Sequence, residues 1–353
     1  MPVLMTEYRG ELAALCTAMC WVCTSLAFGA AGRRVGPTVV NVSRLFLAVV
    51  LLGLLHFIDT GLWVPEAPWR GIWLLALSGI IGLSVGDQLL FTALVDVGSR
   101  MSTLLMTLAP PVVAIVAWFL LGERITLWML TGMTVTLGGI ILVVRDRPSG
   151  DDIVPHPHWK RGVIFGTLAA WCQGIGFVIA KLAMNSQNED VAMRIDPLAA
   201  TLVRMSFAAV GVVVLANSMH ALRGQAARQL RRSTPRGPWS SAIPLIVMGT
   251  VFGPVLGVWM SLEAAKATDA GIAATLMAMT PVFILPFAAL IEHERVTWRA
   301  AVGAVIAVAG VAILAVMDDD RQEPDVPPTE TASRDIIEEA HVFDASRSRM
   351  DAP

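Results

Sequence analysis

Charge is scarce in this chain: charged residues make up 15% of 353 positions, against 55% hydrophobic, and mean hydropathy is +0.66. So little charge excludes a soluble fold, which could not hide that much apolar surface. Histidine is missing from the interiors of the long apolar runs, since His56, His156, His158, His220, His293 and His341 fall at run ends, in loops or in the tail. A hydrolase built on a serine or cysteine nucleophile would want a histidine within a span. Of the 4 cysteines, Cys16, Cys20 and Cys23 share one helical face, but no histidine or carboxylate is placed to complete a metal site. They read as small packing residues.

What the chain has instead is apolar runs of roughly 20 residues, the length that crosses a bilayer. They fall near 11–31, 38–58, 71–94, 101–121, 126–144, 162–182, 198–218, 241–262, 270–291 and 298–317. Inside a bilayer every backbone polar group must be satisfied internally, so runs of this length are helices. The expectation is an all-α integral membrane protein with ten transmembrane helices. The first run is too long for the core of a secretory signal, although Phe28-Gly29-Ala30-Ala31 looks loosely cleavable.

The chain is also duplicated. Leu105, Met106, Pro110, Ala117, Glu123, Arg124 and Thr126 recur 171 residues later as Leu276, Met277, Pro281, Ala288, Glu294, Arg295 and Thr297. Glycines follow at matching places, Gly132 and Gly139 in one copy and Gly303 and Gly310 in the other. Trp21 is answered by Trp171, and Arg44 by Arg204. The copies cover 9–148 and 159–317, five helices each, with a polar linker at 149–158. An odd number of helices makes the second copy enter the membrane from the opposite side, so the repeats are inverted. Inverted repeats are a common construction of secondary transporters, with substrate held between the halves near the midplane. Residues 318–353 hold eleven acids against four arginines and read as a disordered acidic tail. The net charge of −2 therefore leaves about +5 on the rest.

Of the 26 basic residues, all but Arg44 and Arg204 fall at a terminus, in a loop or in the tail. An intramembrane arginine is costly and faces a cavity or a partner, unless its long stem snorkels to the interface. Asp87, next to Gln88, is the acid deepest in a run; it is a candidate for a proton-linked group, for a partner to a substrate amine, or for an ion pair with Arg44 or Arg204. Glu263 is expected at the interface, paired with Lys266 at i+3. Pro110, Pro111, Pro244, Pro254, Pro281 and Pro286 bend helices and free carbonyls, which is tolerated at depth beside a wet cavity. With Met106, Thr107, Met277 and Thr280 one turn earlier, these helices are expected to wall a pocket. Trp21, Trp171 and Trp259 lie inside runs, and Gln88 and Gln173 add polar groups near the same depth. The candidate substrate-binding residues are thus Trp21, Arg44, Asp87, Gln88, Met106, Pro110, Trp171, Gln173, Arg204, Trp259, Met277 and Pro281. One acid with two arginines would suit a zwitterion.

An intramembrane aspartyl protease would need two facing aspartates; Ser84-Val85-Gly86-Asp87 resembles half of such a motif and the other half is missing. A channel or a lipid or hydrophobic-drug translocator is a further alternative. The combined pattern resembles the EamA-type branch of the drug/metabolite transporter superfamily. The features that carry the resemblance are Leu105–Val144 with Gly122-Glu123-Arg124, its second copy with His293 in place of the glycine, the Ala93-Leu94 stretch, and Trp171 with Lys181. It implies a secondary transporter moving small metabolites, often amino acids or related compounds, outward through a central cavity between the repeats. It also implies a multi-pass protein of the inner (cytoplasmic) membrane with cytoplasmic termini. Loop charge gives the opposite orientation, with fourteen basic residues after odd-numbered runs and five after even-numbered ones. Glu123-Arg124 and Glu294-Arg295 read as structural corners, each acid suiting the dipole of the helix that follows it. Expected partners are a small-molecule substrate and the bilayer, with no nucleic acid; no cofactor or metal is expected, proton coupling through Asp87 is left open, and the oligomeric state is undetermined.

Overall fold

The computed structural model describes residues 8–145, 159–185, 195–230, 239–280, 282–283 and 298–319, and these contain no strand. In order the helices are α1 Arg9–Val35, α2 Pro37–Thr60, α3 Trp69–Ser78, α4 Asp87–Met106, α5 Ala109–Leu121, α6 Leu127–Arg145, α7 Trp159–Met184, α8 Pro197–Leu230, α9 Trp239–Thr250, α10 Val258–Ala267, α11 Ala270–Met277 and α12 Trp298–Asp319. Two π-helical stretches, Gly79–Gly86 and Val251–Gly257, join α3 to α4 and α9 to α10 without a loop. Residues 1–315 form one compact unit, and residues 316–353 a second, of which the described part is the end of α12.

Six helical stretches are long and apolar enough to cross a membrane: Arg9–Gly32, Pro37–Thr60, Trp69–Leu94, Trp159–Met184, Pro197–Ser218 and Trp239–Ala267. Ala109–Leu121, Leu127–Leu142 and Ala301–Val311 are apolar but shorter. Their outer faces are apolar too, as Val50, Phe119, Val210 and Val305 illustrate. Two expectations about spans need correction. The fourth run does not start afresh at 101: the backbone stays helical through 95–100 to Met106, and the helix breaks instead at Thr107-Leu108. Gly98-Ser99-Arg100 has loop composition, but helical backbone bonds can satisfy any of these residues. The ninth run breaks in the same way at Ala278-Met279 after α11, and most of its remainder lies outside the described residues.

The duplication is visible in these irregularities. The two π stretches and the two breaks sit 171 residues apart, give or take one position. Small residues every fourth position make the π stretches close-packing surfaces. In the second repeat Gly249, Gly253 and Gly257 face Phe28, Thr24 and Trp21 of α1. In the first, Gly82 and Gly86 face Gly176 and Cys172 of α7, and the Ser78 hydroxyl donates to the Gly176 carbonyl. Thus α1 packs on the second repeat, against α9, α10 and α11, and α7 packs on the first, against α3, α4 and α5. The glycines of the last helices also meet: Gly139 lies against Gly303 and Ala307, and Gly310 against Gly132 and Thr136. Ascending positions on α6 meet descending positions on α12, so these two helices run antiparallel.

Turn glycines fix the joints. Gly36 has φ +93° and alone separates α1 from α2, whose first residue is Pro37, the ring suiting a helix start. Gly122, with φ +70°, ends α5 in the left-handed conformation that favours glycine. This turn points the chain to Glu123.

Candidate functional site

A cavity of about 240 Å³ opens between the repeats, lined from both. This is just under the range of about 300–1,000 Å³ typical of small-molecule sites. The broken helices bring Met106, Thr107 and Pro110 from one copy and Met277, Ala278 and Thr280 from the other. Trp21, Phe28, Phe91 and Phe177 add aromatic wall, and Arg44, Asp87, Gln173 and Arg204 the main polar groups.

The polar residues form a directed chain. The Asn41 amide donates to Gln88 Oε1 at 3.3 Å, and Gln88 Nε2 donates to Thr38 at 3.3 Å, which fixes the way Asn41 points. Asn41 Oδ1 then accepts from Arg44 Nε at 3.1 Å and Nη2 at 2.9 Å. Arg44 Nη2 also donates to Asp87 Oδ2, while Asp87 Oδ1 accepts from Gln173 of the second repeat. The Arg44 guanidinium carbon lies 5.1 Å from the Phe91 ring centre and 5.9 Å from that of Phe28, within cation–π range. Arg44 is 5% exposed and does not snorkel. Its expected ion pair with Asp87 is present.

Arg204 differs. It is 4% exposed, and its Nε has no hydrogen-bond partner among the described residues. Packing holds it in place: its backbone carbonyl lies so close to Gly79 that any Cβ there would collide, and Nη2 is 3.8 Å from where a Gly82 Cβ would sit. The Ser102 hydroxyl also lines the cavity, buried and without a partner among the described residues.

Of the expected site residues, Trp21, Arg44, Asp87, Met106, Pro110, Gln173, Arg204 and Met277 line the cavity. Gln88 stands behind it, supporting Asn41. Trp171 is 51% exposed and faces outward, and Trp259 packs against the cluster around Leu45 and Met205; neither lines the cavity. Pro281 lies outside the described residues. Asn41 was missed, although its place three residues before Arg44 puts it on the same helical face.

Two ion pairs bracket the cavity along α7. In its last turn Lys181, 5% exposed, forms a 2.7 Å pair with Glu123 and donates to the Thr268 carbonyl at 2.6 Å. Glu123 Oε2 accepts from the Ala270 amide at 3.0 Å. Glu123 therefore caps α11 in the other repeat, and not the helix that follows it in sequence. Lys181 is no loop residue either. A second cavity of about 500 Å³, lined by Arg70, Glu123, Lys181 and Asp269 among others, adjoins this pair. In the first turn of α7, Arg161 holds Asp96 through two bonds, Nε to Oδ2 at 2.7 Å and Nη2 to Oδ1 at 2.6 Å. Arg161 and Lys181 are about 30 Å apart at 1.5 Å per residue, the thickness of a hydrocarbon core. Glu263 pairs with Arg9 at 3.5 Å, and not with Lys266. The chain folds back to bring Arg9 closer than the i+3 neighbour.

Comparison with known proteins agrees with this architecture. A search of curated proteins finds no match. A solved structure titled "Crystal structure of protein" superposes with a TM-score of 0.66 at 18% identity, covering 90% of this chain and 100% of its own; at that identity the likeness speaks for the fold alone. The model of the EamA-like transporter family matches twice, over residues 8–145 and 160–316. This chain belongs to the EamA-like transporter family.

Proposed function

We propose that this protein is a secondary transporter of the drug/metabolite type that carries amino acids or related small metabolites outward across the inner membrane. Alternating access moves the solute through the cavity between two inverted repeats. The observation that carries this reading is the cavity itself: both repeats line it, and the broken ends of α4–α5 and α11 meet at it, each break at the same place in its copy. Helix breaks at membrane depth belong where they face a solute or water. The antiparallel crossing of α6 on α12 supports inversion.

The cavity is closed toward Lys181. One turn beyond the cavity-lining Val113, Phe177 and Ala274 stand Ala117, Lys181 and Ala270, all buried. Access from this face requires the Glu123–Lys181 pair to separate, and with it the cap on α11. The pair is therefore the latch of this side.

Purified protein in liposomes, loaded with an unlabelled solute and presented with its labelled form, tests the reading. Counterflow of any one solute class supports it. A panel of amino acids, organic acids, nucleosides and organic cations with no counterflow would overturn it.

A further inference from the structure

We propose that the solute is an organic monoanion, a compact apolar or aromatic body bearing one carboxylate group, and that Arg204 receives that group. The proposal rests on the carrier reading and, within its small metabolites, favours a monocarboxylate over an amino acid.

Charge in the cavity does not balance. Its ionisable lining residues are Arg44, Asp87 and Arg204, two guanidiniums against one carboxylate. Arg44 donates from Nε to Asn41, and its Nη2 faces Asn41, the Leu83 carbonyl and Asp87. Both oxygens of Asp87 are engaged, one by Arg44 and one by Gln173. The acid and the first arginine thus cancel. A zwitterion would place its ammonium group against Asp87, whose charge is already offset by Arg44 and whose two oxygens each accept a hydrogen bond.

One positive charge remains, and Arg204 carries it. It is almost fully buried, its Nε has no hydrogen-bond partner among the described residues, and the acid that acts on it is Asp87, which already pairs with Arg44. A buried guanidinium that must share its one acid with another arginine is costly unless something else supplies an anion. Its position is set by close packing on the glycines of the first π stretch. A guanidinium presents donors in a planar fork that matches a carboxylate. A dianion such as a phosphate monoester would exceed the single surplus charge.

The rest of the wall selects the body. Trp21, Phe28, Phe91, Phe177 and Met277 offer apolar and aromatic surface, and the unpartnered Ser102 hydroxyl offers one neutral polar contact. No second carboxylate lines the cavity among the described residues to receive an amine.

Phenylacetate, phenethylammonium and phenylalanine share one ring and differ in charge, and they are the probes. Thermal unfolding of the purified full-length protein is followed with each, for wild type, Arg204→Met and Arg204→Lys, and labelled phenylacetate and phenylalanine are tested for counterflow in liposomes. The expected result is that phenylacetate raises the wild-type Tm and phenethylammonium does not. Arg204→Met folds with an equal or higher Tm, because an uncompensated charge is gone, and loses the phenylacetate shift. Arg204→Lys retains a reduced shift.

Absence of a phenylacetate shift in wild type overturns the proposal. So does a shift kept by Arg204→Met, a larger shift with phenethylammonium or phenylalanine, or failure of Arg204→Met to fold, which would give Arg204 a structural role. If the proposal falls while phenylalanine exchanges, the carrier reading stands. If phenylacetate binds through Arg204 but neither solute crosses the membrane, the monoanion site stands and the carrier reading falls.

Discussion

Glu123 and Lys181 stand 2.7 Å apart although one belongs to each repeat, and the same carboxylate also caps α11. Lys181 is buried and Glu123 partly so, and removing one partner strands the other. Glu123→Gln and Lys181→Met are each expected to cost about 3–5 kcal/mol, read as a fall in Tm in detergent. The double variant should recover part of that loss. Additive losses would mean that the two residues act separately.

The two cavity arginines are expected to behave oppositely. Arg44→Met leaves Asp87 with Gln173 as its hydrogen-bond partner and without its paired guanidinium, and should lower stability by about 3 kcal/mol, as breaking a buried pair does. Arg204→Met should not. Equal destabilisation by both substitutions would contradict the assignment of partners.

The approach of α8 to the first π stretch depends on one missing side chain. Gly79→Ala places a methyl against the Arg204 carbonyl, and overpacking of this kind costs about 1–3 kcal/mol. Gly53→Ala is the control, since nothing lies within 4 Å of its added Cβ, and a helical Gly→Ala change there should be neutral or slightly stabilising. Thermal melts of the two variants should separate clearly.

Much of this was legible in the sequence, and the losses have physical reasons. Arg44 and Arg204 emerged by elimination, because an apolar run makes any charge conspicuous. The helix breaks were signalled near Pro110 and its copy. The breaks fall one turn ahead of those prolines because the helix gives way where its amide bonds are lost. Lys181 was read as a loop residue because a lysine at a helix end ordinarily reaches water; its burial is decided by Glu123, 58 positions earlier. Trp171 was paired with Trp21 by repeat position, yet sequence equivalence does not fix which side of a helix meets the cavity. The spacing of Ser78, Gly82 and Gly86, matched by Gly249, Gly253 and Gly257, was an available signal for the packing stripe.

The position of α2 predicts sidedness. In a variant with its native cysteines replaced by serine, Val35→Cys and Leu62→Cys flank this span and should react with an impermeant maleimide from opposite faces of the membrane. Labelling of both from one face would mean that α2 does not cross.

The most direct test of the central claim is counterflow by a protein whose cavity is filled. Ala278 lines the cavity beside the second helix break, whereas Trp171 faces outward. In liposomes, Ala278→Trp should abolish exchange of any solute that wild type carries, and Trp171→Ala should leave it intact. Exchange at the wild-type rate by Ala278→Trp would contradict the assignment of this cavity as the transport site.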